Sequence, residues 1–378
     1  MQDRTWVTGV GLADVPAERR RAIDLLVQAS ARAVRDAGLG PTDVDAVLTG
    51  YSLVDDALMP ADATAEALGI RAGTCLTLNA GGATGVALIR EAERIIRSGD
   101  GVHVLVAWAD NRASGASRDA VLERLAGVGH PDFEAPLGPT IPALYALHAA
   151  RYLHDTAATP ADLAALAVAF RRNAGRDVRA HRREPITIDD VLSSRPIADP
   201  LRLLDCCLVT DFGAALLVSA APTGSVHRPV AIAGTAQGHA HEHLLGTERL
   251  GRSISGQVAA AALATADRPR ADLDLLMVYD SFTVTAALQL EELGRAPPGG
   301  AGALARDGAF DPDGALPVNT NGGMLSGING GIHLVAEAVL QLQGRADGRQ
   351  VPDPDLALVN GIGGILSAHA SVVLEGAP

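Results

Sequence analysis

A chain of 378 residues is too long for one average domain and suits two domains or two fused halves. Its 48% apolar content is enough for a large core, but with aromatics at 3% that core must be built from Ala, Val, Leu and Ile. The net charge of −13 opposes a nucleic-acid-binding face, and all 31 basic residues are arginine, which excludes Schiff-base aldolases, pyridoxal-phosphate enzymes, P-loop NTPases and protein kinases.

No apolar run reaches the length of about 20 residues that a membrane helix needs. The opening MQDRTWVTGVG lacks a basic segment followed by an apolar one, and Cys75, Cys206 and Cys207 have no metal-type spacing. The expectation is a soluble, reduced, cytoplasmic protein without a membrane span.

In chain order, helical periodicity runs over Glu18–Ala37, Ala83–Ser98, Pro142–His154, Pro160–Asn173, Thr283–Leu293 and Ile332–Gly344. Strand-like runs are Ala46–Leu48, Val102–Ala107, Ala214–Ser219, Val230–Gly234, Leu275–Tyr279, Ala357–Asn360 and Ala370–Leu374. Strands buried on both faces and alternating with helices read as a mixed α/β protein. Turn chemistry at Ala221-Pro222-Thr223-Gly224 marks a seam, dividing the chain into 1–225 and 226–378.

Two segments recur. LTLNAGGATGVA (76–87) leads into a helix and the strand VHVLVAW. LPVNTNGGMLSGINGG (316–331) leads into a helix and the strand LALVNG. Each is a strand ending in Asn, a Gly-Gly turn and a helix start. Glycine lets a substrate approach the backbone there, and the helix start presents free N–H groups to an anion or developing oxyanion. A single such turn is ordinary strand-to-helix packing; a duplicated pair points to a shared site.

These segments, with LDCCLVTDFGAALLV (204–218), YDSFTVTAALQLEELG (279–294) and NGIGGILSAHASVVL (360–374), resemble the thiolase superfamily, and more closely its sterol-carrier-protein-type, lipid-transfer branch. The resemblance implies a five-layered αβαβα sandwich of two similar halves, with a loop region at about 111–200 inserted in the first. It also implies an obligate homodimer and an acyl-CoA substrate, with no other cofactor.

The catalytic residues depart from that pattern. Where the family carries its nucleophilic cysteine, Asn79-Ala80-Gly81-Gly82-Ala83-Thr84-Gly85 has Gly82. Gly327-Ile328-Asn329 stands where the activating histidine belongs. Asn360-Gly361-Ile362-Gly363-Gly364 lacks the acid/base cysteine of the last turn, and Tyr279 occupies an oxyanion-hole position. Acyl-cysteine chemistry is therefore not expected. Cys75 lies towards the far end of its strand, and Cys206 and Cys207 read as part of a buried strand.

Carbon–carbon cleavage without a covalent intermediate needs a group that exchanges the β-hydroxyl proton and donors for the thioester enolate. Tyr279 with Asp280 is the candidate for the first; backbone N–H groups near Gly82 and Gly363-Gly364, and Asn329, are candidates for the second. His369, alternating with Ser367 and Ser371, is the candidate general base or else a buried structural histidine. His239, His241 and His243 lack an evident fourth ligand and are not read as a metal site; His333 reads as packing. RRNAGRDVRAHRR (171–183) holds six arginines, and Arg171 and Arg172 are its candidates for CoA phosphate, against a solvated face.

Together these features read as a thiolase-like acyl-CoA enzyme that makes or breaks a carbon–carbon bond without an acyl-cysteine. Cysteine-free relatives imply a small OB-fold, zinc-ribbon partner. Two other readings stay open: a non-catalytic acyl-CoA or lipid-binding subunit, and a thiolase using a displaced cysteine.

Overall fold

The computed structural model describes residues 4–15 and 20–377. Eleven strands run β1 Thr5–Leu12, β2 Ala46–Gly50, β3 Thr74–Leu78, β4 His103–Asn111, β5 Pro196–Ala198, β6 Leu201–Arg202, β7 Asp211–Ser219, β8 Val230–His239, β9 Leu275–Val278, β10 Leu356–Gly363 and β11 Ala368–Gly376. The helices among the described residues are α1 Ala22–Asp36, α2 Pro60–Leu68, α3 Thr84–Ser98, α4 Arg118–Ala126, α5 Ile141–Asp155, α6 Pro160–Ala174, α7 Ile188–Ser193, α8 Ser255–Ala266, α9 Thr283–Glu292, α10 Ala301–Arg306 and α11 Gly331–Leu342.

Nine strands form one sheet in the order β3-β2-β4-β7-β1-β8-β11-β10-β9. Its centre is the antiparallel pair β1–β8, Thr5–Val7 against Val230–Ile232. Outward from β1, β7 and β4 follow antiparallel, then β2 and β3 parallel. Outward from β8, β11 and β10 follow antiparallel, then β9 parallel, and Val318 bridges β9 in parallel where β3 stands in the first half. The two halves are one topology repeated.

The layers follow from which face each side chain takes. Val104, Val106 and Trp108 of β4 and Ala214, Leu216 and Val218 of β7 join the core around α3 and α11. The alternate residues Leu105, Ala107, Ala215 and Leu217 join a second core under α1. Period-two alternation with both faces buried is why these strands read as unbroken apolar runs. Helices α3 and α11 touch each other and strands of both halves, while α1 covers β1, β4 and β7, and α8 covers β8 and β11. The result is the αβαβα sandwich, with α3 and α11 as its middle layer.

Three sequence expectations shift. The helix expected from Glu18 is described from Ala22, its first residues lying outside the described ones. The strand expected to reach Tyr279 ends at Val278, which leaves the tyrosine just beyond the sheet. Cys206 and Cys207 lie in a connecting segment rather than a strand, Cys206 making one bridge to Phe282. Among the described residues no helix is long and apolar enough to cross a membrane.

Candidate active site

The two glycine turns and the last turn, Gly363-Gly364, meet backbone to backbone. A Cβ placed on Gly81 would lie 2.7 Å from the Gly364 nitrogen, and one on Gly331 would lie 2.4 Å from the carbonyl oxygen of Gly82. Each of the first two turns is held by its asparagine. Asn79 Oδ1 accepts from the Gly81 N–H. Asn319, fully buried, accepts from the Val278 N–H and donates back to the Val278 carbonyl, pinning the second turn to β9. Helices α3 and α11 therefore begin side by side at one point.

That point is Gly82. A Cβ there would sit 2.1 Å from both Cζ and Oη of Tyr279 and 2.3 Å from the Ile362 carbonyl oxygen. The phenol fills the space that a nucleophile's side chain would need. Tyr279 is delivered there by Gln289 of α9, fully buried, which accepts from the Tyr279 N–H and donates to its carbonyl. Asn360 of β10 holds the same Gln289 oxygen. Burial pushes the Tyr279 hydroxyl well above the usual phenol range, Cys207, Tyr145 and Tyr51 push the same way, and the Arg112 cation opposes them.

Tyr145 of α5 closes the second side, its hydroxyl donating to the Gly364 carbonyl at 2.8 Å while its ring stacks on Phe282 at 4.5 Å. Neither Gln289 nor Tyr145 was singled out from the sequence. Gln289 had a signal, a glutamine on the apolar helical stretch TVTAALQLEE; Tyr145 had none.

The other expected site residues lie elsewhere. Asp280 turns from Tyr279 and accepts from the Met324 and Leu325 N–H groups at 3.0 and 3.1 Å, so it shapes the second turn instead of orienting the phenol. Burial raises its carboxyl to about 7, against those two donations. His369 is fully buried with both ring nitrogens engaged, Nε2 donating to the Leu366 carbonyl and Nδ1 accepting from Ser255 of α8, both at 3.0 Å. Burial lowers its pKa to about 4; it braces the glycine turn and has no nitrogen free to act as a base. Asn329 donates to Leu208 O and Thr210 Oγ1, which commits its amide hydrogens to the segment before β7 rather than an oxyanion.

The arginine run is largely structural too. Arg171, 6% exposed, reaches Ser326 Oγ and the Glu184 carbonyl. Arg172 pairs with Asp311 at 2.7 Å, Arg176 with Asp313, and Arg179 with Asp177 and Glu337. These forks serve Ser326, Asp311, Asp313 and Glu337 of the second half and Asp177 and the Glu184 carbonyl of the first; Arg176, Arg182 and Arg183 are exposed, and of these only Arg176 has an ion pair among the described residues. Of the three histidines, His241 meets the Ile365 carbonyl, His243 the Val128 carbonyl and His239 lies by Glu242, three separate directions. His333 packs edge-on to Phe212.

A family model described as Thiolase C-terminal domain-like matches residues 236–376. The chain is 35% identical over 360 residues to 17-hydroxy-3-oxo-4-pregnene-20-carboxyl-CoA lyase of Mycobacterium tuberculosis, covering 89% of this chain and 91% of that one. It belongs to the thiolase superfamily. Similarity extends to an acetyl-CoA acetyltransferase of Methanothermobacter thermautotrophicus, 30% identical over 90% of this chain and 91% of that one. Among solved structures, one described as Ltp2-ChsH2(DUF35) aldolase superposes with a TM-score of 0.86 at 28% identity, covering 99% of this chain and 98% of that one. The protein is a thiolase-like enzyme that makes or breaks a carbon–carbon bond of an acyl-CoA.

The thiols of this thiolase-like enzyme do not replace the missing nucleophile. Burial, then Asp280, pushes Cys207 up to about 12; Cys206 and Cys75 are also raised, chiefly by burial. A thiol held that far above neutrality is a poor nucleophile. Intact mass after incubation with acetyl-CoA or a longer acyl-CoA is expected to show no adduct; a stoichiometric acyl group on any cysteine would restore the displaced-cysteine reading.

Proposed function

We propose that this enzyme runs in the cleavage direction, as a retro-aldol lyase of β-hydroxyacyl-CoA esters whose acyl part is of the steroid class. One observation carries the reading: the Tyr279 hydroxyl occupies the space of the thiolase nucleophile, at the meeting of the two glycine turns. A phenol there can exchange a proton with a β-hydroxyl but cannot form a thioester. Tyr279, as its phenolate, takes the hydroxyl proton, the β-carbon becomes a carbonyl, and the Cα–Cβ electron pair passes into the thioester as an enolate, later protonated at Cα. Backbone N–H groups of Gly82 and Gly363-Gly364 are assigned to the enolate oxygen. The 35% identity to a steroid carboxyl-CoA lyase supports the acyl class.

The partner assigned is a DUF35-type, OB-fold zinc-ribbon protein, supported by the aldolase complex on which the chain superposes. A second copy of the chain is assigned to the open edge of β3, where Leu76 is 45% exposed. The test is to co-purify the chain with such a partner and supply a 17-hydroxy steroid 20-carboxyl-CoA. The reading expects a 17-ketone and a shortened acyl-CoA, from a particle containing two copies of the 38.7 kDa chain. No ketone from this or other β-hydroxyacyl-CoA esters would sink the lyase reading.

CoA phosphates are assigned to Arg182 and Arg183, exposed at the end of the arginine run. Replacing both by Ala is expected to weaken CoA-ester binding by about 2 kcal/mol, roughly 30-fold in Kd, and to flatten its salt dependence. Arg172→Ala, by contrast, is expected to change stability and leave Kd within about twofold. Calorimetric titration at two salt concentrations separates the two; an Arg172 effect as large as the Arg182/Arg183 one would return the phosphate to the α6 end.

A further inference from the structure

The lyase reading leaves a full negative charge on the thioester oxygen, with only backbone dipoles assigned to it and the Asn329 amide turned away. One cationic side chain near the turn has a donor to spare. Arg112 follows β4, with its Nε donating to Asp110 at 2.9 Å. Its guanidinium lies over the Phe212 ring at 5.1 Å and 6.0 Å from that of Trp108. Its Nη2 is buried with no hydrogen-bond partner among the described residues. Asp110 needs nothing further from it, since the Ser52 hydroxyl and the Leu53 and Asn111 N–H groups also donate there.

Position links this group to the reaction. The Phe212 ring lies 2.5 Å from where a Gly330 Cβ would be, and the next residue, Gly331, abuts the Gly82 carbonyl. The Phe212 ring thus touches both the guanidinium and the start of α11 beside Gly82, and the Arg112 cation also acts on Tyr279, whose phenol meets Gly82. The titratable groups around Arg112 are Asp110, Tyr51, which the guanidinium also engages, Tyr279 and Cys207, with His333 across Phe212. A buried charged donor left unpaired is costly in a resting protein and is explained where a ligand anion completes it. The paired Nε and the flanking rings hold the fork in place before any substrate arrives.

We propose that Arg112 is a catalytic residue of this site, donating from Nη2 to the thioester oxygen that becomes negative as the carbon–carbon bond breaks. The step rests on the retro-aldol reading. The β-hydroxyl proton passes to the Tyr279 phenolate, the Cα–Cβ pair moves into the thioester, and the negative charge the phenolate gives up appears on the thioester oxygen, against the guanidinium. No oxidant, metal or further reactant is needed.

The test uses the chain with its partner and two CoA thioethers, one bearing a carboxymethyl group as a stable anion and one an acetonyl group as its neutral counterpart. Wild type is expected to bind the carboxylate at least tenfold more tightly. Arg112→Met is expected to lose that preference and to lower kcat by about 10²-fold with KM within about threefold. Arg112→Gln, whose amide can still donate to Asp110, serves if the Met variant does not fold. An unchanged anion preference in the variants, or a kcat within twofold of wild type, overturns the proposal. If wild type cleaves no ester, the lyase reading fails by itself, and the thioether comparison still decides whether Arg112 faces the anion.

Discussion

Tyr279→Phe is expected to lower the rate of carbon–carbon cleavage by ~10²–10⁴-fold while leaving the fold and CoA-ester binding intact. The ring stays, so the space beside Gly82 remains filled and only the hydroxyl is lost. The main-chain contacts with Gln289 do not involve that hydroxyl and persist. The pH profile adds a second readout. Burial holds the phenol above its ordinary range of about 10, so at neutral pH nearly all of the free enzyme carries the protonated form. In the cleavage direction the phenolate is the base. The rate should therefore rise about tenfold per pH unit from neutrality upward, until the phenol titrates or the protein unfolds. The Phe variant should lose that rise together with the rate. A Phe variant with wild-type turnover, or a wild-type profile flat from pH 7 to 9, would remove Tyr279 from proton transfer.

The fold was legible because its signals are local and repeated. Strand, Asn, Gly-Gly turn and helix recur in the same order, and strands such as β7 are buried on both faces and so unbroken by polar residues. Helix α8 was missed for the opposite reason: its run VAAAALATA has too little contrast between faces to show a period. In the site, Gly82 and Tyr279 were legible as departures from a pattern, because each occupies a position whose ordinary resident is known. Asp280, His369 and Asn329 were named by residue type beside a motif, and type does not say where a side chain points. All three serve as braces: Asp280 on the Met324–Leu325 amides, His369 between Ser255 and Leu366, Asn329 on the segment before β7. Arg171 and Arg172 were named for the same kind of reason, and at the end of α6 they bond Ser326 and Asp311 of the second half, contacts a charge run does not report. Gln289, Tyr145 and Arg112 owe their roles to contacts over long stretches of chain, which no spacing rule reports.

Gly82→Cys, the substitution that restores the nucleophile's residue type, is expected to abolish cleavage without producing a thiolase. The cost comes from space, not from backbone conformation, because the positive-φ glycine of this turn is Gly81. Gly82→Ala isolates the steric part. Its Cβ meets the Tyr279 ring and hydroxyl at 2.1 Å and the Ile362 carbonyl oxygen at 2.3 Å. The ring can swing out at the expense of the reaction, since a displacement of about 1 Å can cost roughly 10²-fold in rate. The carbonyl belongs to β10, paired along its length with β11, and cannot move alone. Overpacking of this kind typically costs about 1–3 kcal/mol, readable as a lower denaturant midpoint with the slope unchanged. Adding Tyr279→Ala to Gly82→Cys removes the first clash and leaves the second, so the double variant should stay destabilised. It should also stay unable to acylate, because Gly327-Ile328-Asn329 supplies no histidine where the activating one belongs and the Asn329 amide is held by Leu208 and Thr210. A Gly82→Ala protein with wild-type stability and turnover would mean that Tyr279 does not occupy the nucleophile's space, and the mechanism built on that placement would fall with it.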